Sequence, residues 1–281
     1  MSDCQKISPQ LVAKHFRKAA QNYDHHAILQ KEIGHRLLSK LALLKEPPSR
    51  IIDIGAGTGQ HTQSIQQAFP HATLIGLDIA LNMMQKAKNT VCSLHDSPSW
   101  ICANTFALPF PTHTFDLIFS NATLQWCLPL HLALAEWQRI LRPKCPIFFS
   151  TFGPQTLKEL QSSWQAVSKK AHTNIFLSLQ EVSEALHKAG FQDIVLEREE
   201  ITITYANVKG LLQDLKGVGS HNNHPYKSQG LITPNAWQGM LQAYQTLALP
   251  DGQIPATYEI LYGHAWTKPK KIPLSRDLIE K

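Results

Sequence analysis

The stretch IIDIGAGTGQHT, residues 51–62, sets three glycines on alternate positions, Gly55, Gly57 and Gly59, behind an apolar run that carries a carboxylate, Asp53. Glycine has no Cβ and adopts positive φ without strain, so a loop of this kind lets a ligand come close to the main chain at Gly55, Ala56 and Gly57. Where such a loop opens a helix, it also aims backbone N–H groups at an anionic or polar ligand. A second carboxylate, Asp78, closes the run LIGLD, 23 residues beyond Gly55. An acidic side chain at the end of the next strand accepts hydrogen bonds from both hydroxyls of a ribose. The pair predicts recognition of an adenosine-containing ligand. A bare glycine turn joining strand to helix is the alternative. The loop reads G-x-G-x-G, which differs from the G-x-G-x-x-G dinucleotide fingerprint.

Other reactive side chains point away from metal and thiol chemistry. The five cysteines, Cys4, Cys92, Cys102, Cys127 and Cys145, are odd in number, far apart and never C-x-x-C, which argues against a zinc site or a disulfide framework. A reduced, cytoplasmic setting is the default expectation. Fourteen histidines include the pair His25–His26 but no H-E-x-x-H, and neighbours on a helix point in different directions, so no metal is expected. The net charge of +6 favours acidic partners. No nucleic-acid motif is present, and the densest basic run, TKPKKIPLSR at 267–276, reads as a solvated tail. No apolar run reaches the ~20 residues of a membrane span, and the first twenty residues lack the continuous apolar stretch of a secretory signal.

The elements that must hold these groups alternate. Helices are expected over 8–21 and 25–44, ended by PPS at 47–49. Short apolar strands are expected at 50–54, 72–78, 100–104, 115–121 and 145–152, with helices at 59–69, 81–89 and 130–142. Such alternation predicts a doubly wound α/β fold with a mostly parallel sheet covered on both faces. Beyond residue 153 the rhythm changes: helices at 154–170 and 179–191, a strand at 194–205, helical stretches at 206–217 and 234–247, and a last strand at 256–267, at or near the sheet edge. One domain over 1–281 is expected, with N-terminal helices in 1–46, a cofactor-binding core in 50–152 and a helical cap insertion at 206–250.

Three further segments narrow the ligand. ANTFALPF (103–110) follows the third strand and SNATLQWCLP (120–129) the fourth. With IIDIGAGTGQ and LIGLDIALNMMQKAK, this order resembles the class I S-adenosylmethionine-dependent methyltransferases, which have a seven-stranded, Rossmann-like sheet. The resemblance implies that Asp53 and Gly55–Gly59 lie against the methionine and ribose, that Asp78 takes the ribose, and that Ile79 and Met83 flank the adenine. Plain core packing is the alternative for the last two. Asn104 stands where that family usually has an Asp that reads the adenine amino group; its side-chain carbonyl can still accept that N–H, without charge. Thr105, Ser120 and Asn121 join the expected cofactor set, as do Gln125 and Gln30, the latter toward the methionine carboxylate.

A finer resemblance covers almost the whole chain. VAKHFRKAAQNYDHHAILQ (12–30), SNATLQWC, STFGPQTLKELQSSW (150–164), LLQDLKGVGSHNN (211–223) and TYEILYGHAW (257–266) are similar to the malonyl-carrier-protein O-methyltransferases of biotin synthesis, the BioC family. One departure is Arg142-Pro143-Lys144-Cys145, where relatives often carry P-G-G. The resemblance implies methyl transfer from S-adenosylmethionine to the free carboxyl of malonyl held as a thioester on acyl carrier protein. A carboxylate is ionised at pH 7, so no catalytic triad is expected. Candidate substrate residues are Tyr23, His25 or His26, Gln125, Trp126 and Lys216; wall packing competes for Trp126, a helix staple for Tyr23 and simple solvation for Lys216. Lys14, Arg17, Lys18, Lys209 and Lys227 are candidate rim residues for an acidic carrier protein. Rival readings are a small-polycarboxylate (aconitate-type) or quinone-precursor methyltransferase, and a non-catalytic assembly protein that binds S-adenosylmethionine.

Overall fold

A computed structural model of the chain describes residues 7–91, 97–220, 222 and 232–269. Cys4, Cys92, Lys227 and the greater part of the basic run at 267–276 lie outside the described residues. The strands are β1 (Arg50–Ile54), β2 (Thr73–Asp78), β3 (Ser99–Cys102), β4 (Leu117–Ser120), β5 (Pro146–Phe152), β6 (Phe191–Tyr205) and β7 (Ile254–Thr267). They form one seven-stranded sheet in the order β3-β2-β1-β4-β5-β7-β6. The first five are parallel, while β7 runs antiparallel to both β5 and β6. Every residue of β4 and β5 is buried, as strands sandwiched between two helical layers must be.

The helices are α1 (Pro9–Ala19), α2 (Tyr23–His26), α3 (Ile28–Ser39), α4 (Gln60–Ala68), α5 (Leu81–Val91), α6 (Leu130–Ile140), α7 (Lys158–Gln165), α8 (Leu179–Lys188), α9 (Val208–Gly217) and α10 (Pro234–Gln245). Successive strand residues serve opposite faces. Ile52, Ile54, Ile118 and Phe149 pack with Leu134 and Trp137 of α6 and Val182 of α8. Ile51, Leu117, Phe119 and Phe148 pack with Ile33 of α3, Ile65 of α4, Trp164 of α7 and Tyr244 of α10. No helix among the described residues is long and apolar enough to cross a membrane.

One expectation is sharpened and two are corrected. The last strand is near the edge, not at it: β7 is inserted between β5 and β6, and β6 is the edge strand. Burial separates them, because β7 is covered nearly throughout while β6 alternates, and a bulge between Gln192 and Val195 marks the edge. The second helix does not run unbroken over 25–44. Ala27, at ψ 34°, divides α2 from α3, and a 3₁₀ turn follows α3 at Lys40–Leu43. The helix expected from 154 begins only at Lys158, because Leu157 sits left-handed at φ 57°. The Arg142–Cys145 turn precedes β5, at the end of the sheet away from the glycine loop. Lys144 there adopts φ 63°, a left-handed conformation that favours glycine.

The N-terminal helices are fastened over the C-terminal ends of the parallel strands. Lys86 of α5 donates to the carbonyls of Ala20 and Gln21, each at 3.0 Å, and pairs with Asp24 at 2.6 Å. Thr58, in the glycine loop, donates to the other oxygen of Asp24 at 2.6 Å. One lysine thus satisfies the orphan carbonyls at the end of α1 and ties α1 and α2 to the core.

Candidate active site

The ends of β1, β2, β3 and β4 open into a cavity of about 690 Å³ roofed by α1 and α2. Among its walls are Tyr23, Gly55, Gly57, Asp78, Ile79, Met83, Asn104, Thr105, Asn121 and Trp126. A smaller recess continues past Gln30, Asp53, Gly55, Ala56 and Gly57. Most of the residues singled out from the sequence therefore meet at one place.

The glycine loop works differently from the expectation. Its N–H groups are consumed inside the protein: Gly55 and Ala56 both donate to Leu77 O at 2.7 and 3.0 Å, Gly57 donates to Asp78 Oδ2 at 3.1 Å, and Gly59 to Ala56 O at 2.9 Å. The loop is thus no anion cradle. What it offers is clear space at Gly57. A Cβ on Gly57 would meet nothing within 4 Å, whereas one on Gly55 would strike Thr123 at 2.0 Å. Gly59 lines no cavity; it turns the chain into α4 at φ 82° and lets Trp100 pack against it.

Two carboxylates dominate the electrostatics. Asp53 is 2% exposed and accepts from Thr62 Oγ1 at 2.6 Å. Burial pushes its pKa up to about 7, against the lowering pull of that hydroxyl and with help from the Asp78 charge. Asp78 accepts from Gly57 N at 3.1 Å and Ala80 N at 2.8 Å; burial lifts it to about 6 against those main-chain donors. Two neighbouring carboxylates with raised pKa values favour a ligand that brings hydroxyl donors and positive charge. The Tyr23 phenol is pushed up by burial and by Asp78 and Asp24, and the Cys127 thiol to about 12 by burial. Both stay protonated, so neither supplies a base or a nucleophile at neutral pH.

The remaining candidates divide. Asn104 Oδ1 accepts from Phe106 N at 3.1 Å, which leaves one lone pair for a ligand. Asn121 Nδ2 donates to Gln30 O at 2.8 Å and its Oδ1 accepts from Ser150 at 2.6 Å, coupling α3 to β5 through the end of β4. Thr105 accepts from Trp137 Nε1 at 2.7 Å. Ser120 is fully buried and donates to Ile54 O. Gln125 points away, held by Ala122 O and Thr151. These last two brace the loop and line no part of the cofactor cavity. Met83 faces the cavity and also packs with Ala80 and Ala87. Trp126 stands edge-to-face on Phe16, 5.7 Å between centroids. Lys216 is exposed and lines neither cavity: on α9 the residues Asp214, Leu215 and Val218 face inward, and 100° per residue turns Lys216 out. Sequence reasoning missed Val12, Phe16 and Phe106 as walls. The helical spacing of Val12 and Phe16 was the available signal, but it speaks equally for ordinary core.

A second cavity, about 680 Å³, lies beyond Gln30. Its walls come from α2 and α3, the turn before α7, β6, β7 and α9, and mix apolar side chains with polar ones, among them His26, Gln30, Tyr205, Asp214 and Tyr258. Gln30 borders both this cavity and the cofactor recess, and its Oε1 is buried without a hydrogen-bond partner. Among the described residues no group of three side chains could hold a metal ion.

Sheet order, strand-end site and carboxylate pair together define a class I methyltransferase. A methyltransferase-domain family model matches residues 52–149. The fold is shared with the YcgJ protein of Bacillus subtilis (TM-score 0.61, 14% identity, 83% of this chain and 98% of that one). It is shared also with phosphoethanolamine N-methyltransferase 2 of Haemonchus contortus, solved with S-adenosylhomocysteine (TM-score 0.53, 16% identity, 84% and 52%). The chain is 37% identical over 272 residues to the malonyl-[acyl-carrier protein] O-methyltransferase of Gallionella capsiferriformans, covering 92% of this chain and 91% of the relative. It is 38% identical over 265 residues to that of Halorhodospira halophila, covering 94% and 90%. The chain belongs to the malonyl-[acyl-carrier protein] O-methyltransferase family and is an S-adenosylmethionine-dependent enzyme.

The residues present fit that cofactor. Asp78 keeps lone pairs for ribose hydroxyls, Ile79, Met83 and Phe106 give apolar walls, and the buried, unpartnered Gln30 oxygen suits an ammonium group. Gln30 was expected to meet the methionine carboxylate; its amide offers an N–H donor for that group as well as the unpartnered acceptor oxygen.

Proposed function

We propose that the chain methylates the free carboxyl of a malonyl group carried as a thioester on acyl carrier protein. The observation that carries this reading is the second cavity beside Gln30, separate from the cofactor cavity and adjoining it. A flexible thioester arm needs such a chamber, and a small polycarboxylate does not. When bound, S-adenosylmethionine supplies a methyl group already activated on a sulfonium. A carboxylate with a pKa of about 4 is ionised at pH 7 and attacks without a base. The protein's part is alignment, worth up to ~7–11 kcal/mol where the reacting atoms are well placed. Tyr23, kept protonated, is a hydrogen-bond donor in the wall of the cofactor cavity and its recess. Of the 206–250 segment, α9 caps the second cavity, whereas α10 packs on α7 and belongs to the core. Exposed Lys14, Arg17 and Lys18 on α1, with Lys209 on α9, form a basic rim for an acidic carrier protein.

The test is incubation with labelled S-adenosylmethionine and malonyl-acyl carrier protein, with ester formation followed by mass spectrometry and succinyl- and acetyl-carrier protein as controls. Methylation of the malonyl form alone supports the reading. Cofactor binding with no methylation of any carrier substrate sinks it.

A further inference from the structure

The walls of the second cavity contain one side chain able to carry positive charge, His26. Its Nδ1 lies 2.9 Å from Asp214 Oδ1. Tyr205 and Tyr258 line the same cavity beside Asp214. One oxygen of the Asp214 carboxylate is thus engaged by the imidazole itself. An imidazole whose Nδ1–H is given to a carboxylate has only Nε2 left, and it donates there as the imidazolium.

The ring is also held in place. A Cβ on Gly217 would come within 2.3 Å of it, so the absence of a side chain at that point of α9 is what lets His26 lie flat against the helix. Tyr23, His26 and Gln30 follow each other at intervals of three and four residues. Tyr23 lines the cofactor cavity, His26 the second cavity, and Gln30 the wall shared by the recess and the second cavity. The short segment Tyr23–Gln30 thus contributes to the cofactor cavity, to its recess and to the second cavity.

Resting on the methyl-transfer reading above, we propose that His26 is the specificity-determining residue of the acyl site. It accepts the free carboxylate of the acyl group, with Asp214 and Gly217 fixing its ring. Neutral acyl thioesters gain nothing from this contact, so His26 separates malonyl from acetyl.

The experiment measures binding of malonyl-coenzyme A and acetyl-coenzyme A to the full chain saturated with S-adenosylhomocysteine. It compares wild type, His26→Ala and Gly217→Ala, with S-adenosylhomocysteine affinity and thermal unfolding as controls. Gly217→Ala keeps the histidine but displaces its ring, and alanine suits a helix better than glycine, so this variant does not depend on a damaged fold. A charge-assisted hydrogen bond of ordinary strength predicts a ~10–100-fold loss of malonyl affinity in both variants. Acetyl and S-adenosylhomocysteine affinities should stay within about twofold on the same argument. Variants that keep the wild-type ratio of malonyl to acetyl affinity overturn the proposal, as does an equal loss on both ligands. If the wild type methylates malonyl thioesters while the ratio is unmoved, only the role of His26 falls. If the wild type neither binds nor methylates them, the methyl-transfer reading falls and takes this one with it.

Discussion

The two cavities are built by opposite means. The cofactor cavity is assembled from loops that follow β1 to β4, each a short contiguous stretch around Gly55, Asp78, Asn104 and Asn121. In a parallel sheet every strand delivers its C-terminal loop to the same edge, so topology alone brings these groups together. The second cavity takes isolated side chains from positions as far apart as His26 and Tyr258, on helices outside the parallel core and on the two antiparallel strands. The parallel half fixes what any adenosine ligand needs. On the proposed function, the antiparallel half and its helices serve the acceptor.

If that division holds, damage to one chamber should leave the other's ligand bound. Asp78→Ala is expected to have the largest effect. It removes the proposed acceptor for the ribose hydroxyls and orphans the N–H groups of Gly57 and Ala80. Two charge-assisted hydrogen bonds predict a ~10²–10³-fold loss of S-adenosylhomocysteine affinity by calorimetry. Malonyl-coenzyme A affinity, measured alone, should move less than about threefold, within the additivity expected of separate sites. A matching fall in both would mean a single coupled site.

Within the glycine loop, Gly55→Ala and Gly57→Ala should part company. Space at Gly57 is open, so alanine there costs only the strain of a positive φ, ~1 kcal/mol, while its methyl group intrudes where ligand must lie. Cofactor affinity should fall ~10–100-fold with the melting temperature nearly kept. Alanine at Gly55 meets Thr123 at 2.0 Å, so thermal unfolding should reveal the greater loss of stability there. The reverse order would show that the loop's glycines serve the fold and not the ligand.

A smaller effect separates the chambers by pH. Asp53 titrates at about 7 and Asp78 at about 6, both raised by burial. In the ligand-free protein such raised carboxyls contribute stability below their unfolded value of about 4 and lose it as pH rises to about 7. If binding requires both ionised forms, affinity should rise over the upper part of that window, about a hundredfold between pH 5.5 and 8. Asp53→Asn should raise the melting temperature of the ligand-free protein at pH 8, by at least about 1 kcal/mol in stability. A ligand-induced shift in melting temperature that is flat across this range would remove the electrostatic account of the site.

This division also explains what could be read from the sequence. β1 to β5 and the chemistry at their ends were legible because apolar runs of strand length and the residues after them are local signals. The direction in which loop N–H groups point was not, since Leu77 O, which captures two of them, belongs to the neighbouring strand. Position of β7 between β5 and β6 is a pairing choice that no local pattern encodes. Lys216 looked suited to a carboxylate, but its helix is phased by Leu211 and Val218, buried at 0% and 6%, and those side chains turn the lysine to solvent. His26 could be named, yet its partners Asp214 and Gly217 are some 190 residues away and become visible only in three dimensions.

The smallest expected effect lies outside both chambers. Lys14, Arg17 and Lys18 are exposed on α1, the helix that roofs the cofactor cavity, and Lys209 is exposed on α9, beside the second. Charges at an interface rim act mainly on the association rate, through long-range attraction that salt screens over ~8–10 Å. Reversing Lys14 and Lys18 together should lower kcat/KM for malonyl-acyl carrier protein about three- to tenfold at low salt. The loss should shrink at high salt, and malonyl-coenzyme A should be turned over as before. Coenzyme A is itself anionic, so it tests whether the rim reads charge in general or the extended acidic surface of a protein. Equal losses on the two substrates would place these lysines in the acyl path and erase the distinction between chamber and rim. A loss confined to the carrier protein would give the chain a third functional region, one that neither chamber's chemistry specifies.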